Sequence, residues 1–293
     1  MAALPRGKFM KQQVTTGGGP ANASPVPPAA SRPAAAAFDA VPFIIVGTDL
    51  DDRLYGSAFG DSLFGGDGND LLDAGQGDDL LDGGAGEDWA SYATSGVGPV
   101  LVDLDAGIAT GPGAGNDRLV SIEHVLGWEY NDTLIGDAGG NSLHGGGGGD
   151  PLWGGGGRDC LYGGQGNDVI GFDAADGGVL GGAGVDSLVG SAGGDLVALN
   201  HARFHHGGGQ PGFEVFLLGD GDDVFLGASD PGVFTGAGAG LTVFGGSGND
   251  SVSMRGSPGS AGTDDQLDGG AGDGDLWGGQ GRDNLAGGAG DDQ

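Results

Sequence analysis

Cysteine is nearly absent. Cys160 is the only one in 293 residues, so no internal disulfide can staple the chain. Cations are scarce too. The two lysines, Lys8 and Lys11, lie near the N-terminus, and after residue 42 only six scattered arginines follow. Phosphate recognition needs clustered Lys and Arg, so a nucleic-acid partner is disfavoured. Glutamate occurs only at 87, 123, 129 and 214. No apolar run approaches the ~18 residues of a membrane-spanning helix. The N-terminus is mildly basic (Arg6, Lys8, Lys11), but no apolar segment follows, which argues against a cleaved secretory signal. GxSxG, HExxH and P-loop motifs are all missing, so no catalytic centre is expected. Gly-x-Gly-x-x-Gly strings do occur, but none opens a helix after a strand, as nucleotide binding requires.

Glycine and aspartate fill the space these absences leave. The chain has 73 glycines and a formal net charge of −31. So anionic a chain repels itself when compact. It either stays disordered or recruits counter-cations. Residues 1–42, rich in Ala, Pro and Gly, read as a disordered leader.

From Gly47 a nine-residue frame takes over: GTDLDDRLY, GSAFGDSLF, GGDGNDLLD, AGQGDDLLD and GGAGEDWAS. It resumes at 127, passes one degenerate slot at 172–180 (FDAADGGVL), and returns at 181, 190, 209, 218, 227, 236, 245, 260, 269, 278 and 287. Leaving out the slot there are 21 copies, and position 6 is Asp in 16 of them. Position 8 is Leu, Ile, Val or Phe in 19 of the 20 complete copies. A fixed short period of this kind means a solenoid.

The two parts of the frame have separate physics. Glycines at positions 1, 2 and 4 tolerate positive φ, so six residues make a tight turn. The remaining triplet alternates, with one apolar side chain inward and two outward, and makes a short strand. Two turns and two strands, hence two nine-residue frames, complete one coil. Stacked coils lie about 4.8 Å apart as parallel strands. With one apolar residue per strand the core is thin, and a single coil cannot fold alone. Copies n and n+2 stack, so their position-6 carboxylates form a ladder at the same spacing. Unneutralised, that ladder repels itself. Ca²⁺, with six to eight oxygen ligands in flexible geometry, suits it better than Mg²⁺, which demands a stricter octahedron.

GGDGNDLLD, GGAGVDSLV and GGQGNDVIG match G-G-x-G-x-D-x-U-x in full, and in this the chain resembles the RTX, or haemolysin-type, calcium-binding repeat. The resemblance covers most of 47–293. It implies an all-β fold, a parallel β-roll solenoid with two nonapeptides per coil, and multiple Ca²⁺ held between adjacent turns on each edge. It also implies secretion without an N-terminal signal, by a type I route, and folding in extracellular calcium.

Carried over residue by residue, the resemblance assigns metal-binding roles. In the first block Asp52, Asp70 and Asp88 form one edge and Asp61 and Asp79 the other. In the second, Asp132, Asp150, Asp168 and Asp186 form an unbroken column, opposite the weaker series Asn141, Asp159, Gly177, Asp195. In the third the columns read Glu214, Gly232, Asp250 and Asp223, Leu241. There most sites are expected to be lost, with Phe216, Phe225 and Phe234 compensating by burying apolar area. The last copies recover with Asp265, Asp283 and Asp292, Gly274 being a gap. The expected domains are a roll over 43–198, a linker over 199–208 and a more degenerate roll over 209–293. An insertion at 92–126 interrupts the first; its PVLVDLDAG and RLVSIEHVL read as strands extending the same sheet.

Other candidates weigh less. His201, His205 and His206 have metal-like spacing, but they lie between repeats with no HExxH, and read as a polar loop. Trp89, Trp128, Trp153, Trp277, Tyr55 and Tyr162 fall mostly at positions 7 and 9 and point outward, as does Cys160. They are ordinary strand residues or a surface for glycans or partner proteins. The function expected is calcium-triggered folding outside the cell, as a structural, adhesive or stabilising module. The alternative is the repeat part of a larger secreted enzyme of metalloprotease, lipase or alginate-epimerase type, since the chain stops inside a repeat at GGAGDDQ.

Overall fold

The computed structural model describes residues 42–93, 98–173, 175–193, 196–198, 215–220, 222–226, 241–254, 264–279 and 281–293. Residues 1–41 of the expected leader, the linker 199–208 with its three histidines, Asp195, Glu214, Gly232 and Phe234 lie outside them. No helix occurs among the described residues. The chain divides into two units, the first ending at Leu126 and the second beginning at Gly127.

The first unit holds β1 (Ile44–Val46), β2 (Arg53–Tyr55), β3 (Ser62–Asp67), β4 (Leu71–Asp73), β5 (Leu80–Ala85), β6 (Trp89–Ser91), β7 (Leu101–Asp103), β8 (Ile108–Gly111), β9 (Gly115–Val120) and the first three residues of β10 (His124–Trp128). Successive repeat strands alternate between two sheets, ordered β1-β3-β5-β9-β8-β7 and β2-β4-β6-β10. The repeat ladders are parallel. Ile45 faces Leu63, and Leu63 faces Leu81. On the other sheet Leu54 faces Leu72, and Leu72 faces Ala90. Each of these steps advances the chain by two frames, so this is a parallel β-roll.

The nine-residue frame enforces this geometry. At the fourth position Gly77 has φ 116°, and a Cβ there would lie 2.6 Å from the Phe59 carbonyl carbon and 2.7 Å from Gly60 N. Only glycine satisfies both the left-handed backbone and the close approach of the preceding coil. The eighth positions line the core: Leu63, Leu72 and Leu81 are completely buried. Each such leucine contributes about 1.5–3 kcal/mol of burial.

The insertion departs from an all-parallel roll. β9 continues the parallel ladder, with Leu119 on Leu81. β8 pairs antiparallel with both β7 and β9. The links between these strands are four and three residues long, and connections so short permit only antiparallel neighbours. β10 then rejoins the second sheet, parallel to β6.

The second unit holds β11 (Thr133–Ile135), β12 (Ser142–Gly147), β13 (Pro151–Trp153), β14 (Cys160–Gln165), β15 (Val169–Gly171), β16 (Gly178–Ala183), β17 (Ser187–Val189), β18 (Leu196–Ala198), β19 (Val215–Asp220), β20 (Val224–Leu226), β21 (Thr242–Ser247), β22 (Ser251–Ser253), β23 (Gln266–Asp268), β24 (Asp275–Trp277) and β25 (Asn284–Ala286). One sheet runs β11-β13-β15-β17-β19-β21-β23-β25; facing it are β12-β14-β16 and β18-β20-β22-β24. The two-frame step holds from Leu134 through Leu152 and Ile170 to Leu188. Leu188 then faces Phe216, Phe216 faces Val243, and Val243 faces Leu267. These longer steps absorb extra chain between coils without breaking the ladder. Phe216 and Phe225 are fully buried and pack edge to face at 4.7 Å, filling the core where the motif is weakest.

Leu161 lies mid-roll with no exposure, whereas Val185 is 54% exposed. Leu161→Ala is expected to lower the stability of the calcium-loaded chain by about 2–5 kcal/mol in urea denaturation. Val185→Ala is expected to stay within about 0.5 kcal/mol.

Candidate metal centre

Each glycine turn presents its sixth-position carboxyl group inward, and the backbone fixes it there. One oxygen reaches the neighbouring coil. Asp52 N–H donates to Asp70 Oδ1 at 2.7 Å, Asp61 to Asp79 at 2.6 Å, and Asp70 to Asp88 at 2.7 Å. In the second unit Asp132 donates to Asp150 at 2.7 Å, Asp150 to Asp168 at 2.9 Å, and Asp168 to Asp186 at 2.8 Å. On the opposite edge Asn141 donates to Asp159 at 2.7 Å. The first-block columns and the Asp132–Asp186 column of the second block therefore run as hydrogen-bonded ladders; opposite the latter, only the Asn141–Asp159 step is of this kind among the described residues.

The second oxygen turns into the loop. Oδ2 of Asp70, Asp79, Asp88, Asp150, Asp168 and Asp250 is buried and meets no hydrogen-bond donor. The first glycine of the frame shows what surrounds it. A Cβ on Gly127 would stand 2.5 Å from both Gly145 O and Asp132 Oδ2, the latter also accepting Trp128 N–H at 3.0 Å. Both oxygens therefore converge beside the glycine, leaving no room for a side chain there. The same pairing of a carboxylate with the next coil's carbonyl recurs at Gly65 (Asp70, Gly83), Gly163 (Asp168, Gly181) and Gly245 (Asp250, Gly269). Among the described residues no three His, Cys, Asp or Glu side chains converge on one point. A cation at these turns would therefore take its remaining ligands from main-chain carbonyls, which hard oxygen-seeking ions accept. Ala74 and Leu218 depart from the pattern: each puts a buried apolar side chain where most copies keep a glycine.

Burial without neutralisation raises these acids. The carboxyl groups of Asp79 and Asp150 are pushed up to about 7, and Asp88 to about 6, by desolvation first and by neighbouring carboxylates as well. Backbone hydrogen bonds oppose the shift without cancelling it.

The third block does not keep the two-frame step. Asp223 N–H donates to Asp250 Oδ1 at 3.0 Å, and Leu241 N–H to Asp265 Oδ1 at 2.8 Å. Asp223 and Asp250 therefore share a column, not Asp223 and Leu241, because the coil here is 27 residues long. Further along, Asp265 N–H donates to Asp283, and Gly274 N–H to Asp292, both at 3.1 Å.

Two column members sit inside the insertion. Asp79 N–H donates to Asp117 Oδ1 at 2.9 Å, and Asp88 N–H to Glu123 Oε2 at 2.8 Å. Asp117 lies in PGAGNDRLV, a repeat copy hidden by Pro112 at its first position. Glu123 follows a shorter turn, and its longer side chain spans the difference. A second ladder runs along the fifth positions in the opposite sense. Asn69 N–H donates to Asp51 Oδ1 at 3.0 Å, Glu87 to Asn69 at 3.1 Å, and Val185 to Asn167 at 3.0 Å. The excess of Asn and Asp at position 5 was its visible signal. At position 9, Asp73 and Ser91 are buried rather than outward; Tyr92, itself buried, lies beside Asp73.

Fold and turns together define a parallel β-roll with carboxylate–carbonyl cradles at its edges. The RTX calcium-binding nonapeptide repeat matches residues 46–81, 55–90, 127–159, 135–170, 179–198, 242–253 and 261–293, more than half of the chain. The chain belongs to this family of calcium-binding repeats. No curated protein matches it.

The raised carboxyls have a definite consequence in chelator. From about pH 4, near the ordinary 3.8, up to about 7, the folded state binds more protons than the unfolded one. Stability of the calcium-free roll is therefore expected to rise as pH falls from 7 towards 4 and to be lost above 7. Far-UV circular dichroism against pH in chelator checks this: β signal should appear on acidification.

Proposed function

We propose that the column aspartates hold calcium between successive coils and that the chain folds on binding it, as an extracellular structural or adhesive module. The observation that carries this is the set of buried carboxylate oxygens that meet no donor yet face a main-chain carbonyl. Leaving such atoms unsatisfied is costly, and a hard divalent cation removes the cost. Millimolar calcium outside cells fits a chain of charge −31 with a single cysteine, and membership of the calcium-binding repeat family supports export by a type I route.

Substitution within the unbroken column tests this. Asp150→Asn and Asp168→Asn keep the side-chain shape and the Oδ1 acceptor but remove a charge. Each is expected to raise the calcium concentration for half-folding on the order of tenfold, equal to about 1.4 kcal/mol. Asp82→Asn, at an outward ninth position, should leave it unchanged. Equal calcium midpoints for all three would contradict the proposal.

A surface reading has its own support. Ninth positions of one sheet stack as Ile135, Trp153, Gly171, Val189, Leu217 and Phe244. Trp153 is exposed, yet its indole lies over Gly171, where a Cβ would come 2.8 Å from Nε1. A flat, fixed indole suits stacking on a sugar ring. If this face binds glycans, Trp153→Ala should abolish retention on a polysaccharide matrix in calcium, and equal retention of the variant would contradict it.

A further inference from the structure

The slot FDAADGGVL at 172–180 breaks the frame, and the family match skips residues 171–178. The strand register does not skip. Gly178 faces Cys160 and Val179 faces Leu161, so Gly177 stands where other coils carry their aspartate. Gly178 N–H donates to Asp159 O at 3.2 Å, as seventh positions do in the regular coils, and Gly177 N–H donates to the same oxygen at 2.7 Å.

The missing carboxylate arrives from one residue earlier. Asp176 is only 6% exposed. Its Oδ2 accepts Asp173 N–H at 2.9 Å, and its own N–H donates to Asp173 O at 3.3 Å. Its carboxyl lies within hydrogen-bonding reach of the Asp159 carboxyl. Asp159 is completely buried, and its Oδ2 meets no donor. That oxygen points into the turn, where a Cβ on Gly154 would collide with it. Asp137 and Asp173 add negative potential. Two buried carboxylates in contact repel unless something positive lies between them.

We propose that Asp159 and Asp176 together hold a calcium ion at this turn, in a site built half from outside the repeat motif. The proposal rests on the calcium reading of the aspartate columns. It adds a ligand that the frame does not contain and turns an apparent gap into a two-carboxylate site. Oxygen donors, two negative charges and a glycine-lined turn match a hard divalent cation. Ligand charge tunes calcium affinity, so this site is expected to fill before those with one carboxylate.

The test is the number of calcium ions bound per full-length chain, by equilibrium dialysis with calcium alone, with circular dichroism reporting the fold. Asp176→Asn keeps an acceptor for Asp173 N–H and removes the charge. It is expected to bind one ion fewer while remaining folded. The double variant D176G/G177D moves the carboxylate to the motif position. A Cβ at 177 meets Arg158 Nε at 3.0 Å and Asp159 O at 3.3 Å, so the swap requires the Arg158 side chain to move and the turn to give by a few tenths of an ångström; with the fold confirmed by circular dichroism it should restore the ion. Asp168→Asn, in the regular column, is the control and should also lose one. A wild-type count for Asp176→Asn beside a loss for Asp168→Asn overturns the proposal and leaves the column reading standing. A folded swap variant that stays one ion short also overturns it, making Asp176 a backbone brace. If neither Asp176→Asn nor Asp168→Asn loses an ion, the column reading falls and takes the proposal with it.

Discussion

Everything in this chain turns on a like-charge problem. Carboxylates repeat at the spacing of stacked strands, face inward, and lose their water. Each gives one oxygen to the neighbouring coil's N–H, which fixes its direction. The other oxygen is left facing a carbonyl. Such an arrangement is unfavourable for two reasons at once, desolvation and mutual repulsion. The raised carboxyls of Asp79, Asp88 and Asp150 are the direct expression of both. A proton can relieve the repulsion one site at a time; a divalent cation relieves it between two coils and ties them together.

The rest of the architecture serves that geometry. Glycine at the first position leaves room beside Oδ2, and glycine at the second and fourth lets the loop close against the preceding coil. The single inward leucine per strand stacks the coils but offers little surface to drive them together. On the calcium reading proposed above, folding and ion binding become one process rather than two, because the sites exist only once adjacent coils are stacked. The position-5 ladder, running in the opposite sense, fastens each turn to the next along its exposed rim. The insertion follows the same logic. It supplies Asp117 and Glu123 to the last repeat turns of the first block before the chain leaves the motif.

Most of the fold was legible because the frame ties each residue to one structural duty. Leu152 and Asp150 could be placed from sequence alone: alternation buries the first, and the turn aims the second. What escaped did so for identifiable reasons. Asp117 was hidden by Pro112, and Glu123 by a shortened turn and the wrong acidic residue. Asp223 was assigned to Leu241's column because a two-frame step was assumed where the coil is longer. Asp73 sits at a ninth position, which the alternation points outward, yet it is buried with Ser91 Oγ–H donating to its Oδ2 at 3.4 Å. Asp176 was passed over because the frame names Gly177. In each case the register of the strands, not the count of residues, decides which side chains meet.

The measurement that bears most directly on this account is a calcium titration of the full chain followed by far-UV circular dichroism, with magnesium as the control. The account predicts a cooperative gain of β signal with calcium and none with magnesium, because flexible carboxylate–carbonyl turns satisfy the larger ion. A chain already fully β-structured in chelator at neutral pH, unchanged by either ion, would contradict it.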